Sequence, residues 1–535
     1  MRADLSGVDP LAYNLATRTN VADALARSAR QFPTRAAVVE REDVITYAAL
    51  DATVDALATT LVAHGVAVGT PVAMLMTSSW KFLAVYFACA RAGAVAVPVN
   101  VTLAPPDIEW ILADAEVRHL VVDDAFAPLL TSLPARQRAL AVIATSDAPG
   151  ATLTWAQATA PVPRPVEVLV DDRAAVQCLY TSGTTSRPKG VLTSHLSVVV
   201  AALTNALALG HAWGPEPSVL VNALPLFHTT ALNTLCLPVL ATGGTVILVA
   251  PFDAARVLDA IEQRHATHVM LLPLMWQAIV AELDRQPRDV RSVRRAVYAM
   301  APMSTALLDA VDERFANAVV ILGSGQTEVV PATVLQWPEH RWSAPTSWGP
   351  PVPTVATTCL DAAGQPTSGE GEIAYRGPHV CLGYWNNPGA NADAFAGGWF
   401  HSGDVGHLDD AQVVWFTDRL KDIIKTGGEN VSSVDVERVV SSLPGVRESS
   451  IVGVPDDYWG EMVCAVVVPD GSVDPAELPA TVVAGARGQL AGFQVPKRVV
   501  VVDSLPKTAT GKTRKHELRA LLRSSAPGAS PAAPE

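Results

Sequence analysis

An α/β fold is predicted, with a large N-terminal domain of parallel α/β sheets plus a small β-barrel-like unit, followed by a smaller α+β C-terminal domain. Three observations predict it. Between residues 21 and 122, helix-like stretches alternate with short apolar runs, the rhythm of a parallel sheet covered by helices. Near Ala356 the texture turns β-rich, with Gly364, Gly369, Gly371, Gly383 and Gly397-Gly398 at turn positions. After Asp418 it changes again, to short strands and helices over about a hundred residues, the size of a compact domain.

Taken in order, the periodicity predicts helices at 21–31, 47–64, 81–92 and 106–113 and strands at 71–76, 94–99 and 119–122. Strands resume at 219–224, 245–249, 268–272 and 319–322. In the C-terminal part, 434–442, 448–453, 462–468, 476–490 and 498–502 are the regular segments. The expected boundaries are 1–418 for the large domain and 419–524 for the small one, with 418–421 as the hinge. Residues 525–535, rich in Ala, Pro and Ser, read as a disordered tail.

Composition bounds the function. A chain of 535 residues is too long for one ordinary core, and 49% apolar with 17% charged residues fits a globular protein. A formal charge of −13 argues against nucleic acid as a partner, since phosphate-backbone binding needs a basic face. The six cysteines are scattered without a CxxC pair, the pattern of reduced thiols in a cytoplasmic protein rather than of a disulfide or zinc framework. The N-terminus lacks the apolar core of a signal peptide, and the most apolar windows are broken by Arg91, Pro98, Pro238 and Gly243-Gly244, so stable membrane insertion is not expected.

The chemistry concentrates in Thr181-Ser182-Gly183-Thr184-Thr185-Ser186-Arg187-Pro188-Lys189-Gly190, directly after an apolar run. Small residues let backbone N–H groups approach an anion, hydroxyls donate further hydrogen bonds, and Lys189 adds a point charge. The stretch is not a GxxxxGK[ST] loop, because Lys189 precedes Gly190 rather than following a glycine. A flexible polar turn is the alternative reading of the segment alone.

Four further segments keep it company: Gly325-Gln326-Thr327-Glu328; His401-Ser402-Gly403-Asp404-Val405; Asp418-Arg419-Leu420-Lys421 continuing to Gly427-Gly428-Glu429-Asn430; and Pro506 to Lys512. In order and rough spacing this set resembles the acyl-adenylate-forming enzymes: acyl-CoA synthetases, coumarate–CoA ligases, luciferases and adenylation domains. The resemblance spans residues 21–523. It implies ATP, Mg2+ and CoA as cosubstrates and metal, and a small-molecule carboxylic acid as partner. It also implies a mobile C-terminal domain.

Residue by residue, the resemblance implies that Thr181, Ser182, Gly183, Thr184, Thr185 and Lys189 hold the β- and γ-phosphates, alongside Gln326. Thr327 and Glu328 match the pair that contacts the α-phosphate and carries magnesium. Asp404 and Arg419 match the pair that fixes the ribose, and Lys512 matches the lysine that bridges carboxylate and α-phosphate. Lys421 sits at the hinge position, and Gly427, Gly428 and Glu429 at the loop lining the thiol tunnel. His228 matches the gate between tunnel and acyl pocket, which Met300, Ala301, Ser324, Gly325 and Val329 would line. Taken alone, each is more often a turn or surface residue, Lys512 a solvated lysine and His228 a core histidine.

Two positions depart from the family pattern. Ser324 stands where an aromatic residue usually stacks on adenine, a contact worth on the order of 1–3 kcal/mol by analogy with base stacking. Ala299-Met300-Ala301-Pro302 replaces a glycine-led run. The expected activity is therefore an acid–CoA ligase for a bulky apolar acid, whether aryl, fatty or polycyclic. The alternatives are loading of a carrier-protein phosphopantetheine, thioester formation from acyl-AMP supplied by a partner adenylating enzyme, and a nucleotide-binding regulator without turnover.

Overall fold

The structure, a computed structural model, describes residues 4–132, 141–145, 151–181, 187–300, 303–456, 458–507 and 512–524. These divide into two compact units. The first holds the residues up to Thr181 with Pro188–Thr357 and Tyr375–Phe400; the second holds Thr358–Ala374 and those from His401 onward.

Two eight-stranded sheets form the first unit. In one, Ala175–Thr181, Val95–Pro98, Pro71–Leu75, His119–Val122 and Ala141–Ala144 are parallel neighbours in that order. Lys189–Ser194 runs back antiparallel to Ala175–Thr181 and pairs in turn with Gly383–Tyr384. In the other, Ala36–Glu40, Thr245–Leu248, Val219–Asn222, His268–Leu271, Arg295–Ala299 and Val319–Gln326 are parallel neighbours, and Val329–Gln336 completes one edge antiparallel. Parallel neighbours need long crossovers, supplied here by helices such as Ala254–Arg264, Pro273–Arg285 and Thr305–Arg314.

The four helices read from periodicity form at Val21–Gln31, Tyr47–Ala63, Trp80–Ala92 and Pro105–Asp114. Side chains of Asn20, Thr46 and Ser79 cap the first three, accepting from the N–H groups of Ala22, Ala49 and Phe82, which otherwise lack intrahelical partners. Trp80–Ala92 is buried from Phe82 to Ala92, so its all-round hydrophobicity marks a core helix. Among the described residues, no helix is long and apolar enough to cross a membrane. Beneath the second sheet, Trp276, Phe315, Ile261 and Val269 share one core, and the Trp276 indole N–H donates to the Val297 carbonyl at 3.0 Å.

A further sheet orders Val414–Arg419, Phe400–Leu408, Gly371–Arg376, Ala356–Leu360 and Pro366–Thr367. Another pairs Val446–Asp456 with Gly460–Pro469, flanked by Ile424–Thr426, Glu429–Val431 and Arg498–Val501. Helices Ser433–Ser441 and Leu478–Arg487 match the predicted segments. A last helix, Lys515–Ser524, was not anticipated; Leu518 and Leu522, one turn apart, dock it against Val452, Val454, Val466 and Val468. The tail at 525–535 lies outside the described residues.

Candidate active site

Ligands of open α/β sheets bind beyond the carboxyl ends of the parallel strands, and the candidates of the first unit collect there. Thr181 ends Ala175–Thr181, and its hydroxyl donates to the Lys189 carbonyl at 3.4 Å. Ser182, Gly183, Thr184 and Thr185, which complete the predicted phosphate loop, lie outside the described residues, as does Ala301. Met300 follows Arg295–Ala299, and Ser324 lies near the end of the neighbouring strand, in which Gly323 is registered with Ala299. Met300 has φ 71°, a left-handed conformation that costs a side-chain-bearing residue about 1–2 kcal/mol.

Thr327 and Glu328 are the two-residue turn of a hairpin. Gln326 pairs with Val329 at its base, and a register shift at Gly325 precedes it. A side chain at Gly325 would put its Cβ 2.7 Å from the Cβ of Pro331 on the return strand, so the glycine is needed for hairpin closure. The return strand is anchored by the Pro331 carbonyl, which accepts from Asn205 Nδ2 at 2.8 Å and Thr234 Oγ1 at 2.7 Å. Val329 is fully buried, whereas Gln326, Thr327 and Glu328 are half-buried.

His228 follows strand Val219–Asn222 and leads into a fully buried π-helix, Thr230–Cys236, of a kind often found at functional sites. A buried polar cluster fixes this segment. Asn233 and Gln177 exchange amide hydrogen bonds at 2.9 and 3.1 Å, Thr229 Oγ1 donates to Asn233 Oδ1 at 2.9 Å, and the Tyr86 hydroxyl donates to Gln177 Oε1 at 2.8 Å. All six cysteines are buried, and burial pushes the thiols of Cys178 and Cys381 up to about 12.

In the second unit, Asp404 and Arg419 stand opposite one another on antiparallel strands, with Arg419 Nε 2.7 Å from Asp404 Oδ1. Glu372 holds the turn before Asp404: its Oε1 accepts from Gly403 N at 2.8 Å, and its Oε2 lies 2.7 Å from His401 Nδ1. Asp418 is buried and locks the end of that strand to the next helix, accepting from Arg419 N at 2.7 Å and from Ser433 N at 2.6 Å. Lys421 is exposed, and its neighbour Asp422 pairs with Arg519 of the last helix at 2.7 Å.

Gly427 and Gly428 form a two-residue hairpin turn with φ 59° and 86°, closed by the Thr426–Glu429 pair. That turn type requires positive φ at both positions, so glycine is explained there by conformation alone. Glu429 is exposed. Lys512 is also exposed, one residue before Thr513, which bridges to Lys507; Lys515 Nζ donates to Ser433 Oγ at 2.6 Å.

The sequence reading missed Tyr384, whose hydroxyl donates to Glu328 Oε1 at 3.1 Å and whose ring centroid lies 4.9 Å from Lys189 Nζ. Gly383-Tyr384-Trp385 before Asn386-Asn387-Pro388 looks like a turn, and only strand pairing with Lys189–Ser194 brings it to these residues.

Residues 25–385 match the AMP-binding enzyme family and 435–512 the AMP-binding enzyme C-terminal domain. A feruloyl-CoA synthase from Amycolatopsis sp is 38% identical over 497 residues, covering 92% of this chain and 97% of that protein. A fatty acid–[acyl-carrier-protein] ligase, ScoC, from Streptomyces coeruleorubidus is 33% identical over 92% of this chain and 94% of its own. The crystal structure of ATP-bound MatB from Rhodopseudomonas palustris matches with a TM-score of 0.84 at 29% identity, covering 94% of this chain and 99% of that one.

Proposed function

Because this chain belongs to the AMP-binding enzyme family, we propose that it is an AMP-forming acid–CoA ligase for a bulky apolar acid, with aryl acids the first to test. The observation that carries the reading is the hairpin turn of Thr327 and Glu328, which closes the strand holding Ser324, beside the strand that Met300 follows. The likeness to a feruloyl-CoA synthase supports the aryl preference.

In the first half-reaction a carboxylate oxygen attacks the α-phosphorus of ATP, the P–O bond to pyrophosphate breaks, and acyl-AMP forms. Two unit anions at 4 Å repel by about 4 kcal/mol at an effective dielectric of 20, so positive charge must be supplied. Lys512 supplies it to the meeting anions and Lys189 to the departing pyrophosphate, for which residues 181–185 add hydrogen-bond donors. Asp404 accepts from the ribose hydroxyls and Arg419 donates to them.

Glu328 fits a magnesium ion of the kind held by one carboxylate and otherwise by phosphate and water oxygens; among the described residues no cluster of three or more His, Cys, Asp or Glu forms an all-protein cage. When bound, such an ion neutralises phosphate charge and orients the leaving group. In the second half-reaction the CoA sulfur attacks the acyl carbonyl and AMP leaves. His228 and the Gly427-Gly428 turn serve that step, after reorientation about Lys421.

A carrier-protein thiol is the second reading, favoured by the likeness to ScoC. Pyrophosphate and AMP are to be measured with ATP, magnesium and a panel of aryl, fatty and polycyclic acids, with CoA, with a phosphopantetheinylated carrier, or with neither. Pyrophosphate without thiol and AMP with CoA support the proposal. AMP only with the carrier selects the second reading; no pyrophosphate with any acid defeats both.

A further inference from the structure

The two charged residues assigned to phosphate and metal in the first unit belong to different sheets, Lys189 to one and Glu328 to the hairpin of the other. One short segment, residues 379–385, is hydrogen-bonded to both. At its start the His379 carbonyl accepts from Val330 N at 3.0 Å, and Cys381 N donates to the Glu328 carbonyl at 2.8 Å. At its end Leu382 N donates to the Leu192 carbonyl at 2.8 Å and Trp385 N to the Gly190 carbonyl at 2.7 Å. Gly383–Tyr384 is thereby an edge strand registered on Leu192 and Val191.

Within this segment Tyr384 is held on its own backbone: its N–H donates to Asn391 Oδ1 at 2.7 Å and its carbonyl accepts from Asn391 Nδ2 at 2.9 Å. Gly383, at φ 135°, admits Asn391 to that position, since a Cβ there would lie 2.8 Å from Asn391 Oδ1. From this fixed base the phenol reaches Glu328 Oε1 and the ring lies beside the Lys189 ammonium. Among the described residues Lys189 and Glu328 make no ion pair with each other; Tyr384 touches both.

We propose that Tyr384 is a positioning residue for nucleotide binding, its hydroxyl orienting the Glu328 carboxylate toward the metal and its ring seating the Lys189 ammonium toward the phosphates. A cation and an anion close together collapse onto one another unless each has another partner, and a collapsed pair offers neither charge to a ligand. Tyr384 gives Glu328 a hydrogen-bond donor and Lys189 an aromatic face, each much weaker than an ion pair with ligand. Both charges are thus kept in place and available. This rests on the assignments of Glu328 and Lys189 proposed above.

The test is equilibrium binding of ATP by calorimetry, with magnesium and with EDTA, to the wild type, Tyr384→Phe, Tyr384→Leu and Glu328→Gln. Tyr384→Phe keeps the ring and loses the hydroxyl, so binding with magnesium weakens about tenfold while binding in EDTA is unchanged. Tyr384→Leu also loses the face under Lys189 and weakens binding in both conditions.

Tyr384→Phe that binds like the wild type in magnesium, while Glu328→Gln does not, overturns the role of Tyr384 alone. An equal loss in magnesium and in EDTA for Tyr384→Phe, with a lowered melting temperature, also overturns it in favour of a structural role. If Glu328→Gln retains full magnesium dependence, the assignment of Glu328 fails and the proposal fails with it.

Discussion

Replacing Asp404 by asparagine changes charge with almost no change of shape, and it is predicted to strike ribose recognition far harder than stability. The Asp404 side chain is buried on the strand directly opposite Arg419. In its proposed role the carboxylate accepts from both ribose hydroxyls, and hydrogen bonds to a charged group contribute about 1.5–3 kcal/mol each. Asparagine keeps one acceptor but presents an NH2 group to the other hydroxyl and to Arg419. A net loss of about 2 kcal/mol follows, on the order of 30-fold in ATP affinity. The guanidinium left behind is 40% exposed and rehydrates, so the stability cost stays below about 1 kcal/mol.

The assay is a cycle of calorimetric titrations of wild type and Asp404→Asn with ATP, 2′-deoxy-ATP and 3′-deoxy-ATP. If the carboxylate reads the ribose, the wild type prefers ATP over the deoxy analogues and the variant loses most of that preference. Undiminished discrimination in the variant, or wild-type affinity for ATP, refutes the reasoning.

Burial depresses the imidazoles of His195, His268 and His379 to about 4, and that of His211 well below its ordinary value. Their stabilising contribution is complete above the unfolded value near 6.5 and is lost as pH falls from there toward 4, on the order of 1 kcal/mol each by pH 5.5. Melting temperature is therefore expected to fall between pH 7.5 and 5.5, and His379→Asn to flatten that fall by roughly a quarter. Met300→Gly relieves the left-handed strain at some cost in chain entropy, a net stabilisation of up to about 1 kcal/mol, read as a melting temperature higher by on the order of 1 °C. Asn233→Leu strands Gln177 Nε2 and the Thr229 hydroxyl, about 3 kcal/mol, whereas Gln177→Leu strands the Tyr86 hydroxyl, about 1.5 kcal/mol, because Asn233 keeps Thr229 at 2.9 Å and the Tyr86 oxygen at 3.4 Å. The double variant strands only the Tyr86 and Thr229 hydroxyls and should cost about as much as Asn233→Leu alone, a coupling near 1.5 kcal/mol in a thermal-unfolding cycle; additive losses would contradict the reciprocal pairing.

Local pattern carried a great deal of this fold. The helix at 21–31 was legible because apolar periodicity and the Asn20 cap agree, and that at 81–92 because an apolar run is bounded by Ser79 at one end and by Gly93 at φ 73° at the other. Helix Lys515–Ser524 was overlooked because only two of its side chains, Leu518 and Leu522, are strongly buried, which reads as a polar tail in a linear scan. In the site, the residue types of Thr327-Glu328 and Asp404 were visible, but their geometry was not. That Thr327 and Glu328 form a two-residue turn depends on strand register, and the pairing of Asp404 with Arg419 depends on a hairpin. Gln177 with Asn233 and Tyr384 with Glu328 are contacts across 56 residues each, which no local signal announces.

The most direct test follows an atom. With a substrate acid labelled by 18O in both carboxylate oxygens, ATP, magnesium and CoA, the carboxylate oxygen that attacks the α-phosphorus stays on phosphorus when the thiol takes the acyl group. AMP carrying one 18O and unlabelled pyrophosphate are expected by mass spectrometry, in step with thioester formation. Label in inorganic phosphate with ADP as product, or thioester formed with unlabelled AMP, contradicts an acyl-adenylate route.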